Sequence, residues 1–196
     1  MSTLTEMLRN EIITLEEVTK HLDSLPHKYR ISQSVELGKK EQMKLWDIAK
    51  VGQPIDLSYL LPAGAPILKP YPFEGRNSLP AFTFFQKVFY RQPDGIIAGY
   101  NNQKMAWATG PGYYVCGENP THFGEIEVDY TRLPWIQPAG WPVIKPNMAG
   151  LSRFVYGGTK DYLRWVSRDV VIGRATRAGK DMPNWFILCR KDPIEE

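Results

Sequence analysis

Two hydrophobic periods divide the chain. In the N-terminal part Leu15, Val18, Leu22 and Leu25 recur at three- and four-residue spacing, one stripe of an amphipathic helix. Thr14 and Glu17 stand as a capping box, each side chain positioned to satisfy the other's free N–H. Pro26 ends this helix. An earlier turn is expected from Thr3 or Thr5 through Leu8, and Val35 to Ala49, with Met43, Leu45 and Ile48, gives a second and weaker helical signal. Pro54, Pro62, Pro66, Pro70, Pro72 and Pro80 then crowd one stretch. Proline lacks an N–H and disfavours helix at the preceding residue, so this stretch is expected to be irregular, extended chain. Its Leu57, Tyr59, Leu60, Leu61, Ile67 and Leu68 are too apolar for a free linker and imply that it wraps against the domain.

From residue 81 the period shortens. Phe82 to Tyr90 is ambiguous between helix and strand. Eight candidate strands follow: Ile96–Tyr100, Lys104–Thr109, Tyr113–Cys116, Glu125–Thr131, Ser152–Tyr156, Tyr162–Val166, Val170–Ala175 and Trp185–Arg190. Turn-forming residues separate them, including Asn101-Asn102, Gly110-Pro111-Gly112, the Gly- and Pro-rich run 134–150 and Gly157-Gly158. The expected fold is mainly β: an antiparallel up-and-down β-barrel with an N-terminal helical extension that could plug or brace one end. The corresponding organisation is helical residues 1–50, a Pro-rich segment 51–80 packed on the domain, and a barrel over 81–196. A flattened sandwich is the structural alternative.

Composition sharpens this picture at one point. Aromatic residues make up 12% of the chain, with six Trp, ten Tyr and eight Phe. Because alternate residues of a barrel strand point inward, several rings must line the interior. They either fill the core or wall a cavity for an apolar molecule; Tyr100, Trp107, Tyr113, Tyr130, Tyr162 and Trp165 are the candidate ligand-binding residues. A formal net charge of +3 is too mild for a nucleic-acid binder. No apolar run reaches the length of a membrane span, and the N-terminus lacks the basic start and apolar stretch of a secretory signal, so a cytoplasmic location with reduced Cys116 and Cys189 is expected.

Phosphate-binding glycine motifs, a nucleophile elbow and metal-ligand spacings are absent, so neither a cofactor nor a metal is expected. In Glu125–Thr131 period two turns Ile126, Val128 and Tyr130 to one face and Asp129 to the other, with Glu125 and Glu127; a register slip or bulge would reverse this. Were the cavity catalytic, Tyr113 or Tyr130 would be the proton donor and Asp129 the base, with Arg164 or Arg132 steadying negative charge. An Asp161–Arg164 pair reads as structural.

Two further pieces carry a family resemblance. Thr14-Leu15-Glu16-Glu17 through Leu22-Asp23-Ser24-Leu25-Pro26 resembles the opening helix of the lipocalin-like, or calycin, proteins of the GXWXG type. Arg153-Phe154-Val155-Tyr156-Gly157-Gly158, Asp161-Tyr162-Leu163-Arg164 and Val170-Val171-Ile172-Gly173 resemble their last strands. The G-x-W-x-G signature itself is absent. The resemblance implies a small antiparallel barrel holding a hydrophobic ligand and carries over no catalytic residue. The functional expectation is an intracellular barrel binding a small hydrophobic or aromatic molecule. The alternative is a cofactor-free isomerase, cyclase or lyase using the same cavity on a specialised metabolite. A small apolar or aromatic molecule is the expected partner, and a homodimer stays open.

Overall fold

A computed structural model of the chain describes residues 2–80, 83–103 and 109–192. Eight strands form a closed barrel, every one antiparallel to the next in sequence, with the last closing on the first. They are β1 (Tyr71–Asn77), β2 (Phe84–Arg91), β3 (Ile97–Asn102), β4 (Tyr114–Glu118), β5 (Ile126–Asp129), β6 (Thr159–Trp165), β7 (Val170–Arg177) and β8 (Lys180–Arg190). The expected fold class is therefore the observed one. Closure removes the edges that an open sheet would leave unpaired.

Two expectations along the chain change, and one left open is settled. The end of the Pro-rich stretch is β1, not irregular chain; Pro72 is tolerated at the start of the ladder with β8, where its carbonyl still accepts from the Lys191 N–H at 2.9 Å and register pairing runs from Phe73 opposite Arg190. The ambiguous segment before Arg91 is β2, which pairs with β1 and β3. Ser152–Tyr156 is not a strand: Ser152–Val155 forms a single helical turn with Tyr156 at its C-cap. An apolar run that short carries no decisive period. The expected strand Lys104–Thr109 falls largely outside the described residues.

Four N-terminal helices precede the barrel: α1 (Leu4–Leu8), α2 (Leu15–Ser24), α3 (His27–Val35) and α4 (Lys39–Ile48); the turn at Ser152–Val155 is α5. Thr3 and Thr14 each close a full capping box, with Glu6 and Glu17. Pro26 ends α2 and serves as N-cap of α3, which follows directly. The helices bury Leu4, Leu8, Leu15, Val18, Leu22, Leu45 and Trp46 against Val170, Ile172, Ile187 and Cys189, the outward residues of β7 and β8. They brace the wall from outside and do not plug the barrel. None of the helices among the described residues is long and apolar enough to cross a membrane.

A second wrapping covers the opposite wall. The run 134–150 lays Trp141 against Tyr90 and Tyr100, at ring-centroid distances of 5.3 and 4.4 Å. Asn147 pins it by donating to the carbonyls of Tyr113 and Tyr130, at 2.6 and 2.8 Å. Inside, Phe73, Phe89, Tyr114, Ile126, Leu163, Val171 and Leu188 fill one end as a continuous apolar core. The Leu57–Leu61 segment closes that end, with Arg190 donating to the carbonyls of Tyr59 and Leu60. Arg190 and Arg30 both pair with the buried Asp169, tying α3 to the barrel floor.

Candidate functional site

Above the apolar core the barrel interior is unfilled. A cavity of about 120 Å³ opens toward the end where β8 begins and is lined by Phe85, Lys87, Asn101, Tyr130, Tyr156, Asp161, Ala175 and Phe186, among others. Gln103, Met182, Asn184 and Trp185 also line it. Strand alternation places these residues. Phe85, Lys87 and Phe89 share the inward face of β2; Thr159, Asp161 and Leu163 share that of β6; Ala175 lies opposite Asp161 on β7.

Four of them form one hydrogen-bonded group. The Lys87 ammonium, 1% exposed as a residue, donates to the Tyr130 hydroxyl at 2.6 Å and to Asp161 Oδ2 at 3.0 Å. Tyr130 in turn donates to Asp161 Oδ2 at 3.2 Å, and Asn101 Nδ2 donates to the Tyr130 oxygen at 2.8 Å. The ammonium also lies 4.7–5.2 Å from the ring centroids of Tyr114, Tyr130 and Phe186. Such rings attract a desolvated cation through their negative faces. The ion pair is thus balanced within the protein and held in a mostly aromatic wall.

Tyr156 enters from α5 and stacks on Tyr130 with centroids 5.2 Å apart. Gly112 makes room for it: its φ of +58° suits glycine, and an added Cβ would meet the Tyr156 ring at 2.3 Å. The Tyr156 hydroxyl accepts from Gln103 Nε2 at 2.8 Å. Burial pushes the Tyr156 hydroxyl up to about 12 and that of Tyr130 well above the usual phenol range, so both are neutral donors around neutrality. Burial likewise raises the Cys116 thiol, which faces the interior. The Asn101 Oδ1 atom is buried and has no hydrogen-bond partner among the described residues.

Of the candidate residues that the structure describes, Tyr130 alone lines this cavity. Asp129 points out of the barrel, where it pairs with Lys160 at 3.3 Å and accepts from the Thr131 N–H and hydroxyl. Tyr100 and Tyr113 stack together at 5.5 Å beneath Trp141 on the outer face, and Tyr113 donates to the Pro142 carbonyl at 2.6 Å. Tyr162 donates to Glu127 outside the barrel. Arg164 donates to Glu125 at 2.7 Å and to the Trp46 carbonyl, with its guanidinium 3.7 Å from the Trp46 ring. That joins α4 to β6 and to the residue that leads into β5; the expected Asp161–Arg164 pair does not form, because residues three apart on a strand face opposite ways. Trp165 packs at the junction of the interior core and the helices. Trp107 lies outside the described residues. Arg132 is exposed.

Lys87, Asp161, Asn101 and Tyr156 are functional candidates that the sequence reading did not single out. A signal existed for two. Lys87 alternates with Phe85 and Phe89, and Asp161 alternates with Leu163, so each interrupts an apolar face at period two. Asn101 reads as a turn residue, and nothing local distinguishes it. No group of His, Cys, Asp and Glu suited to a metal ion occurs among the described residues. Protein-family models, curated proteins and solved structures yield no match to this chain.

Proposed function

We propose that the chain is a calycin-type binding barrel, akin to the GXWXG proteins, that takes a small hydrophobic or aromatic molecule into the cavity above its filled core. The observation that carries this reading is the contrast within one interior: apolar side chains pack solidly at one end, while the other holds an open, aromatic-walled space with a few fixed polar groups. Binding sites are built that way, with apolar walls for affinity and few polar atoms for orientation. A volume near 120 Å³ suits one ring, engineered apolar cavities of about 150 Å³ being able to hold benzene.

Trp185 lies at this pocket, so titration with toluene or indole is expected to change intrinsic tryptophan fluorescence saturably. The Ala175→Leu variant, which pushes a larger side chain into the space, is expected to abolish the response while keeping the near-ultraviolet circular dichroism of a folded barrel. A saturable response that survives in Ala175→Leu would move the site elsewhere, and a silent wild type would leave the interior as core alone.

A second reading, a cofactor-free isomerase, cyclase or lyase, has its own support in the Tyr130 hydroxyl. That group lies between an ammonium and a carboxylate, so a proton leaving Tyr130 toward a bound molecule can be replaced from Lys87. Under this reading Tyr130→Phe retains ligand affinity within a few-fold and loses turnover by about 10²–10⁴-fold. Equal turnover in the two proteins would exclude Tyr130 as the acid.

A further inference from the structure

The polar inventory of the cavity specifies the ligand's buried end, on the premise that the interior is the binding site. The Lys87 ammonium is met by Tyr130, Asp161 and three ring faces, and its charge is cancelled by Asp161. The Tyr130 oxygen accepts from Lys87 and Asn101 and gives its proton to Asp161. Neither group calls for a further charge. A carboxylate brought here would face Asp161, and a second ammonium would face Lys87; either would be desolvated without a free counter-ion. The head that enters is therefore neutral.

Two polar atoms of the wall are left over among the described residues, the Trp185 Nε1–H donor and one acceptor, and a hydroxyl answers both kinds because it accepts as well as donates. Asn101 lines the cavity at 5% exposure, its Nδ2 is committed to Tyr130, and its Oδ1 is without a partner among the described residues. A buried acceptor left unmade is costly, and only a hydrogen-bond donor relieves it. Around it stand the rings of Tyr156, Tyr130, Phe85 and Phe186, an aromatic wall that suits an apolar ring. We infer that the ligand presents a neutral, single-ring aromatic head bearing a hydrogen-bond donor, of the phenol type, with the donor directed to Asn101 Oδ1.

The test is calorimetric titration of the wild-type protein with phenol, anisole, toluene, benzoate and benzylammonium. Phenol is expected to bind about tenfold tighter than anisole or toluene, the price of leaving one buried acceptor unpaired, and the two ions are expected not to bind measurably. In Asn101→Leu the preference for phenol over toluene is expected to vanish; the wild-type ranking stands as a test even if that variant does not fold. Toluene and anisole binding as tightly as phenol would overturn the donor requirement while leaving the aromatic site intact. Benzoate or benzylammonium binding more tightly than phenol would overturn neutrality. If none of the five binds, it is the underlying reading of the interior as a binding site that fails.

Discussion

A lysine almost wholly removed from water is tolerated in this barrel only because every side of its ammonium is answered. Taking a charge out of water costs several kcal/mol, and a carboxylate, a phenol oxygen and three ring faces return it. The pair is then a matter of balance rather than of net gain. Lys87→Met removes the cation but keeps a side chain of similar length, leaving Asp161 buried with only the Tyr130 hydroxyl, a loss expected to be about 3–5 kcal/mol in urea unfolding at neutral pH. Replacing both partners, as Lys87→Met with Asp161→Leu, leaves no orphan charge and is expected to recover most of that loss. A double variant as unstable as the single one would mean that Lys87 acts through its contacts with the rings and not through the ion pair. The same residue shows why the signal of the site in the sequence is faint. One lysine between Phe85 and Phe89 is a polar residue in an apolar period, and the opposite face, Phe84, Gln86, Val88 and Tyr90, carries the same pattern of one polar residue among apolar ones.

At the scale of elements, patterns with a strong local cause were legible and those with a distant cause were not. The capping box of Thr14 and Glu17 and the stripe of Leu15, Val18 and Leu22 are local, and α2 forms where they predict. The alternation in Glu125–Thr131 is local as well, and Ile126, Val128 and Tyr130 face inward with Asp129 outward. By contrast α3 has no apolar stripe to read. Its buried residues are Arg30 and Ser34, and Arg30 is buried because it reaches Asp169 at the far end of the chain. The aromatic residues posed a similar problem. Tyr90, Tyr100 and Tyr113 are as buried as Tyr114 and Tyr130, yet they sit on the outside because the run 134–150 covers them with Trp141. Burial of a strand's second face by a loop carries no period of its own, so the division of aromatic rings between cavity and coat could not be read from spacing. Tyr156 reached the cavity by a third route, from the helical turn α5 into the space that Gly112 leaves open.

The whole molecule is a barrel held under two coats, and the N-terminal coat depends on the wall it covers. The helices run from 5 to 10 residues, below the ~12–15 at which isolated helices begin to hold in water. Their stability comes from the contact with β7 and β8, where Leu45 is fully buried. Two thiols report on the two sides of that wall. Cys189 faces the helices and Cys116 faces the interior; both are free and buried, and burial pushes the Cys189 thiol up to about 12, so neither reacts without an opening. If the helical coat opens as a unit separate from the barrel, Cys189 should label faster than Cys116 under native conditions. Leu45→Ala is expected to cost about 2–5 kcal/mol at the helix–barrel contact and to speed Cys189 labelling by maleimide while leaving Cys116 nearly unchanged, read by mass spectrometry of the labelled peptides. Equal acceleration at both cysteines would mean instead that coat and barrel unfold together, so that the short helices are an integral part of one cooperative fold and the cavity cannot survive their removal.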